Sequence, residues 1–251
     1  MKRLLSLFAF LSVLTGSSAA ADFGISPIKL YFDRQTRSAV VTVSNEADQP
    51  LVVEMALSRW TQDGQGKDVY TDSEDFQFFP RLMSIPPKDK RIIRIGVRTP
   101  IPGDDEVTYR LFINEILAPQ EKATTSQVSL AFRFALPIFV AASKPAPRAQ
   151  IIGTVFVPGV GKDAGKVVTR VTLRNDGNEN FRIESLRLVQ PQGLVLAEVG
   201  GWYLLPGISR EHLLLIPPID CKQHRQLEIS VKTDKPVFSE LVDVPAIACL
   251  K

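Results

Sequence analysis

The sequence predicts an all-β protein of two β-sandwich domains joined by a short linker. Three observations predict this fold class. No long segment behind the N-terminal leader follows the period of an amphipathic helix. Short alternating or β-branched runs recur about every ten residues. Turn-forming residues bound these runs, as expected of strands.

The first predicted sandwich contains five clear strand segments. Each alternates apolar and polar residues or is rich in β-branched residues, which is typical of strands with a buried face. Polar turns that contain glycine or proline separate several of them, as at 61–67 and 100–105. The segments are Ser38–Ser44, Leu51–Ser58, Arg91–Val97, Tyr109–Leu117 and Val128–Val140.

A proline-containing connector, ASKPAP at 142–147, divides the chain. Two prolines among small residues make a short and fairly stiff linker. The strand pattern then restarts, with segments at 166–173, 181–190, 193–197, 212–216 and 226–231. We therefore expect an N-terminal domain over 22–142, a linker over 143–147 and a C-terminal domain over 148–251.

The segment 1–21 has the features of a secretory signal peptide. Lys2 and Arg3 provide a positive start, Leu4–Leu14 is almost wholly apolar, and small residues follow as far as Ala21. An apolar run of about 11 residues is well short of the roughly 20 that span a bilayer, which favours a signal peptide over a membrane anchor. We expect cleavage after Ala20 or Ala21 and a soluble, exported protein.

The polar residues form no recognisable catalytic or nucleic-acid-binding pattern. The formal net charge is +3, with basic residues interspersed among acidic ones, whereas a nucleic-acid-binding protein concentrates basic residues on one face. Neither of the two histidines, His212 and His224, has a partner at catalytic spacing. The sequence contains no nucleophile elbow, zinc-protease or phosphate-loop motif. We therefore expect a binding protein rather than an enzyme, with no cofactor, metal or small-molecule substrate.

Two cysteines, Cys221 and Cys249, lie near the C-terminus. An even pair in an exported protein is normally a disulfide, and this bridge would contribute roughly 3.5 kcal/mol on the chain-entropy model. Two free buried thiols are the alternative. A zinc site that joins both cysteines to His224 is disfavoured because a closed structural site needs four ligands.

Three segments of the first domain together resemble the PapD-like periplasmic chaperones of the chaperone–usher pathway. They are GISPIKLYFDRQTRSAVVTVSN at 24–45, FFPRLMSIPPKDKRIIRIGV at 78–97, and the stretch 109–140, which holds YRLFINEILAP and LAFRFALPIFV. The last segment is most similar to the archaic branch of that family. The best-known branch has a basic residue followed by LFYRP where this chain has Ala135 and then LPIF. The resemblance implies two immunoglobulin-like sandwiches and a periplasmic location.

The resemblance also implies donor-strand complementation as the mechanism. A pilus subunit is a sandwich that lacks its last strand, and the chaperone lends an edge strand to cover the open groove. Such a strand must present bulky apolar residues at a period of two. Val128, Leu130, Phe132 and Phe134 form such a row. The alternation alone does not separate a donor strand from an ordinary strand that packs into the protein's own core.

Chaperones of this family also hold the subunit's terminal carboxylate with a basic pair in the cleft between the domains, which fixes the register of the lent strand. Four basic residues are candidates for this carboxylate anchor. Arg94 in the strand RIIRIGV and Lys144 in the linker rank first. Lys29 in IKLYFD and Arg133 in the last strand of the domain follow. Each has a solvated strand charge as its alternative interpretation.

These features together predict a chaperone that binds pilus or fimbrial subunits, prevents their aggregation and delivers them to an outer-membrane usher. Two other classes stay open. A pilus subunit or adhesin should carry a free N-terminal extension of alternating apolar residues, whereas DFGISPIKL at 22–30 is short and interrupted by proline. An exported enzyme or metal carrier would need a catalytic or ligand cluster, which the sequence does not provide.

Overall fold

The computed structural model describes residues 23–98, 103–117, 131–222 and 224–249, and its regular structure is almost entirely β. The strands form two successive sandwiches, which confirms the predicted fold class. The N-terminal sandwich contains β1 (Phe23–Ser26), β2 (Leu30–Phe32), β3 (Ser38–Asn45), β4 (Leu51–Gln62), β5 (Asp68–Asp72), β6 (Phe76–Phe79), β7 (Leu82–Ile85), β8 (Lys90–Val97), β9 (Val107–Glu115) and β10 (Arg133–Val140).

The N-terminal sandwich consists of a first sheet, ordered β1-β3-β8-β6, and a second sheet, ordered β2-β10-β9-β4-β5 with β7 paired to β4. Side-chain alternation places the core between the two sheets. In β4, for example, Val53, Met55 and Leu57 are buried in this core while Glu54 is exposed. The first part of the chain serves both sheets, because β1 pairs with β3 and β2 pairs with β10.

The last strand of this domain, β10, is paired on both sides only over its C-terminal half. β9 pairs antiparallel along the whole strand, whereas β2 pairs in parallel with Ile138–Val140 alone. Leu136 and Ile138 face the core and are fully buried. In the part of the chain that the structure describes, the N-terminal half of β10 is therefore an open sheet edge.

The C-terminal sandwich repeats this plan with eight strands. Its sheets are ordered β11-β12-β16 and β14-β13-β17-β18, and β15 pairs with β13. A separate buried apolar core lies between them, with Leu173, Leu186 and Ile229 among its members. The strands are β11 (Ala149–Pro158), β12 (Val167–Asn175), β13 (Phe181–Val189), β14 (Val195–Val199), β15 (Tyr203–Leu204), β16 (Ser209–Ile216), β17 (Gln226–Thr233) and β18 (Val237–Asp243).

The predicted disulfide between Cys221 and Cys249 is present, with an S–S distance of 2.04 Å. It ties the segment after β16 to the short 3-10 turn Ala246–Ala248 near the end of the chain. The predicted linker, 143–147, falls between the end of β10 and the start of β11. The predicted signal peptide, 1–21, lies outside the described residues. Among the residues that are described, no helix is long and apolar enough to cross a membrane.

His212 is a buried, uncharged histidine in the C-terminal core. It is 8% exposed on β16, and its Nε2 atom has no hydrogen-bond partner among the described residues. Burial, with a smaller contribution from the positive charge of Arg210, lowers the pKa of His212 from 6.5 to about 4. Below pH 6.5 the unfolded chain therefore binds a proton that the native chain does not bind.

We predict that the free energy of unfolding falls as the pH drops from 6.5 towards 4, and that His212 accounts for about 3 kcal/mol of this fall. Urea denaturation of the wild type and of His212→Leu at neutral and acidic pH measures the difference. His224→Leu is the matched control, since it removes the other histidine. An equal loss of stability in all three proteins would contradict the assignment.

Candidate functional site

The outer face of the second sheet is covered where it meets the C-terminal domain. The burial pattern of β4 shows this directly, because its buried positions change phase after Leu57. Up to that residue the core-facing side chains are buried, whereas Ser58, Trp60 and Gln62 on the opposite face are buried next. A second body must cover that end of the face.

An aromatic cluster joins the two domains at this face. Trp60 and Phe139 of the N-terminal domain pack with Tyr203 and Leu205 of the C-terminal domain, and all four are buried. The Tyr203 ring lies 5.4 Å from the Trp60 ring and 5.5 Å from the Phe139 ring. This cluster forms the floor of the junction between the two domains, which we call the inter-domain cleft, and Phe139 connects it to β10.

Arg110 of β9 is the central charged group of the cleft. It is 3% exposed, and its guanidinium lies 3.8 Å from the centroid of the Trp60 ring. Nη1 donates a hydrogen bond of 3.0 Å to the carbonyl oxygen of Ala135. Nε and Nη2 are buried and make no hydrogen bond within the described residues. A buried guanidinium stays protonated, so its two unused donors favour the binding of an anion.

The nearby carboxylate of Asp68 attracts Arg110 but forms no salt bridge with it within the described residues, and its hydrogen bonds come from other donors. Oδ1 accepts from Gln62 at 3.0 Å, and Oδ2 accepts from the Trp202 indole at 2.8 Å. The Tyr70 hydroxyl donates to the same Oδ2 at 3.1 Å. The positive charge of the cleft is therefore left without a close ion pair in the described structure.

Lys29 brings a second positive charge to the same aromatic cluster. Its Nζ lies 5.5 Å from the centroid of the Tyr203 ring, and the guanidinium carbon of Arg110 lies 5.7 Å from that centroid. Partial burial lowers the pKa of Lys29, but the Tyr203 hydroxyl and the charge of Asp234 outweigh this effect, so the pKa is raised overall. Two cations thus converge on one ring.

Arg133 lies at the start of β10, on the outer face of the second sheet. Its guanidinium stacks on the Phe112 ring at 3.8 Å, and Phe112 contacts Tyr70 at 5.3 Å between ring centroids. The side chain is exposed. Arg133 therefore extends the row of cations and aromatic rings from the buried floor of the cleft towards its rim.

The structure does not bring the two first-ranked anchor residues, Arg94 and Lys144, together. Arg94 lies on β8 of the first sheet, between the buried residues Ile93 and Ile95. Its side chain consequently projects from the outer face of that sheet, on the side of the sandwich opposite the cleft. Lys144 is exposed in the linker, where its carbonyl oxygen accepts a hydrogen bond from Asn178. Their role as a carboxylate pair stays a prediction that this geometry disfavours.

Two residues of the predicted donor row, Phe132 and Phe134, are half-buried at the open end of the N-terminal core. The Phe132 ring stacks on Phe23 of β1, with centroids 3.5 Å apart. Val128 and Leu130 lie outside the described residues. Phe132 and Phe134 thus lie at the edge of the protein's own core, and both rings retain exposed apolar surface.

The backbone of β10 offers hydrogen-bonding groups at its open edge. Glu115 donates its backbone N–H to the Phe132 oxygen, so even-numbered residues of β10 face β9. Ala141 donates in the opposite direction, to Phe32 of β2. Arg133 and Ala135 therefore direct their main-chain groups away from β9, towards the side that β2 leaves uncovered.

The sequence of the N-terminal domain matches a known family. Residues 22–145 match the N-terminal domain of PapD, described as a pili and flagellar-assembly chaperone. Over this domain the chain belongs to the PapD-like chaperone family. No curated protein sequence matches the chain.

Solved structures of pilus chaperone complexes and chaperones share the fold of this PapD-like chain over both domains. A chain of the CsuC–CsuE chaperone–tip subunit complex from archaic Csu pili of Acinetobacter baumannii is 19% identical, with a TM-score of 0.59, covering 89% of this chain and 98% of that chain. A chain of the Salmonella enterica SafA pilin–SafB chaperone complex is 17% identical (TM-score 0.55; 88% and 96% covered). The Pseudomonas aeruginosa CupB2 chaperone is 16% identical (TM-score 0.51; 88% and 100% covered).

Of the residues at this cleft, Lys29 and Arg133 were among the anchor residues predicted from the sequence, whereas Arg110 was missed. In YRLFINEIL the arginine alternates with core residues and looks like a solvated strand charge. Its burial depends on Trp202 and Tyr203, which lie about ninety residues away in the other domain and have no motif of their own. One available signal was the density of apolar residues on both sides of a single charge.

We predict that Arg110→Met leaves the free energy of unfolding unchanged or raises it by about 1–2 kcal/mol, because a buried and incompletely bonded cation is replaced by an apolar side chain of similar length. Equilibrium unfolding in urea, monitored by circular dichroism, gives the comparison. Arg133→Met, at an exposed stacked arginine, is the control. A loss above about 3 kcal/mol would instead show that the guanidinium is a structural requirement of the fold.

Proposed function

We propose that this chain is a periplasmic chaperone that binds pilus or fimbrial subunits by donor-strand complementation, prevents their aggregation and delivers them to an outer-membrane usher. One observation carries the proposal: the open edge of β10 adjoins a buried arginine with two unused hydrogen-bond donors. This arrangement suits the end of an extended polypeptide. The function is binding, not catalysis.

The subunit strand pairs with the uncovered half of β10. Main-chain groups of Arg133 and Ala135 supply hydrogen bonds that do not depend on the subunit's sequence. Pro137 has no N–H to offer at this edge, and β2 takes over from Ile138 onwards. The usable edge is therefore confined to the segment that precedes Pro137.

The apolar row of β10 supplies the side chains that fill the subunit groove. Leu136 is completely buried in the chaperone's own core, whereas Phe134 and Phe132 are only half-buried. A subunit groove placed against this end would bury the remainder of both rings, and the two cores would become continuous. Val128 and Leu130 would extend the same row by the alternation of the sequence.

The subunit's terminal carboxylate binds to Arg110, with Lys29 as the second cation. Nε and Nη2 of a guanidinium are arranged to bind both oxygens of a carboxylate. Lys29 and Arg110 both lie near the Tyr203 ring, which supports their action as a pair. We therefore favour Lys29 and Arg110 over Arg94 and Lys144, with Arg133 guiding the strand at the rim.

This assignment supports membership of the archaic branch. Ala135 stands on β10 where the best-known branch has a basic residue, so β10 itself offers no cation at that point. The required charge comes instead from Arg110 on the neighbouring strand, which reaches the carbonyl oxygen of Ala135.

The usher docks on the outer face of the first sheet. Phe79 there is 76% exposed and lies opposite Arg94 in the register of β6 and β8. Arg81 stacks on the Phe78 ring at 5.1 Å. These two residues line a pocket on this face together with Phe79, Arg94 and Arg98. This face lies on the other side of the sandwich from β10, so it stays accessible when a subunit is bound. Aromatic rings edged by arginines suit a partner with apolar and acidic side chains.

We predict that Arg110→Met and Lys29→Met each reduce the capture of a co-expressed subunit about ten-fold or more, because each removes a charge-assisted hydrogen bond to the carboxylate. Capture is measured as the amount of subunit that co-purifies from the periplasm with the tagged chaperone. Arg34→Met, at an exposed loop arginine, is the control. If Arg94→Ala and Lys144→Ala abolish capture while the cleft variants retain it, the anchor is the Arg94–Lys144 pair and the assignment to Lys29 and Arg110 is wrong.

We predict opposite effects for two phenylalanines on the two faces. Phe132→Ser should weaken subunit capture by roughly 2–4 kcal/mol, as truncation of a groove-filling side chain does. Phe79→Ser should leave capture intact but reduce the number of surface fibres, because the loaded chaperone no longer docks. Pull-down yields and electron microscopy of the same strains separate the two steps. Loss of folding in Phe132→Ser would show that this ring belongs to the protein's own core.

A further inference from the structure

The β4–β5 hairpin of the N-terminal domain reaches across to the C-terminal domain at residues that neither the family match nor the anchor explains. Gln62 and Asp68 are register partners at the end of this hairpin. Asp63 shapes the turn between them by accepting the backbone N–H groups of Gln65 and Lys67, both at 2.9 Å. The hairpin tip is thus an ordered structure that can carry a precise contact.

Both polar atoms of the Gln62 side-chain amide make hydrogen bonds at the domain interface. The side chain is buried, and its Nε2 donates to the backbone oxygen of Tyr203 at 2.9 Å. Its Oε1 accepts from the backbone N–H of Leu205 at 3.0 Å. β15 is paired with β13 on its other side, so the glutamine amide supplies the donor and acceptor that a further strand would supply.

The neighbouring contacts support the same connection. Asp68 links the Gln62 amide to the indole of Trp202, as described for the cleft. Gly66, at φ +75°, packs so close to Arg210 that a Cβ atom would lie 2.9 Å from the arginine Cβ. Any other residue there would be strained and would push the hairpin away from the C-terminal domain.

The residues held by this contact are those that surround the cations of the cleft. Tyr203, whose backbone oxygen Gln62 binds, has its ring next to both Lys29 and Arg110. Trp202, bound through Asp68, lies 5.3 Å from the Arg110 guanidinium. A change in the angle between the domains would move both rings relative to the two cations.

We propose that Gln62 is a positioning residue that fixes the angle between the two domains and thereby pre-organises the carboxylate-binding cleft. The linker end of the interface has its own hydrogen bonds, such as those between Asn180 and Glu106 at 2.6 and 3.0 Å. Those bonds hold the domains at the hinge, and the Gln62 contact closes the angle. The proposed role in binding rests on the proposed function, whereas the structural role does not.

The chain carries its own probe of this interface. It has only two tryptophans, Trp60 and Trp202, and both lie at the contact between the domains. Trp60 is 1% exposed because the C-terminal domain covers it. Tryptophan emission therefore reports the interface, while circular dichroism reports the two sandwiches.

The test compares purified wild type with Gln62→Leu, which keeps the side-chain volume but removes the amide. We expect a red-shifted tryptophan emission, stronger quenching by acrylamide and a larger radius of gyration in X-ray scattering, with unchanged circular dichroism. Gln65→Leu, on the exposed tip of the same hairpin, should match the wild type. Asp68→Ala, which removes the acceptor shared by Gln62 and Trp202, should change emission and quenching in the same direction.

Subunit capture by these variants then tests the positioning role. If the competent domain angle is populated about one-tenth of the time in Gln62→Leu, the affinity for the co-purifying subunit falls about ten-fold. Unchanged emission, quenching and scattering in both Gln62→Leu and Asp68→Ala would overturn the inference. An open interface with undiminished capture would overturn the positioning role. Undiminished capture by Arg110→Met and Lys29→Met would instead count against the proposed anchor and leave the structural contact standing.

Discussion

The buried charge of Arg110 constrains the rest of this structure. A guanidinium that is taken out of water needs compensation, and here aromatic faces and one carbonyl oxygen provide only part of it. The missing part has a definite geometry, namely two parallel N–H groups. Under the proposed function, an anion that accepts both would gain an interaction that was left open at folding. The fold itself shows an incompletely satisfied buried charge between the two domains.

That site can exist only because two separate sandwiches enclose it. The N-terminal sandwich presents Arg110 on the outer face of its second sheet, where a single domain would leave the arginine solvated. Trp202 and Tyr203 of the C-terminal domain turn this exposed face into a cleft. The hydrophobic cores of the two domains are separate clusters, joined by the small group around Trp60 and Phe139. Polar contacts such as that of Gln62 consequently carry much of the specificity of the domain arrangement.

Sequence patterns predicted the strands and the disulfide, because these depend on local periodicity and on redox compartment. Arg94 lies between two buried isoleucines in RIIRIGV and points away from the core. Alternation cannot show which of two outer faces meets another domain, and it therefore did not single out Arg110. No local pattern could place Lys29 in the cleft, because its contact with Tyr203 spans 174 positions of the chain. Lys29 became a candidate through the family resemblance instead. Long-range packing, not local pattern, decides the function of each charge.

An open strand edge is a risk for any exported β protein, because it can pair with another copy of itself. Two features of β10 limit this risk. Pro137 removes one edge donor, and the charged side chain of Arg133 stands beside the open segment. Arg110 also contacts this edge, since its Nη1 donates to the carbonyl oxygen of Ala135, an acceptor that an incoming strand would use. A carbonyl oxygen can accept two hydrogen bonds, so an incoming strand would share this acceptor with the arginine. A strand that ends in a carboxylate would in addition give the guanidinium a charged acceptor, which a neutral segment of a second copy would not. Under the proposed function, the same arginine therefore makes the edge more favourable to a terminal carboxylate than to a second copy of the chain.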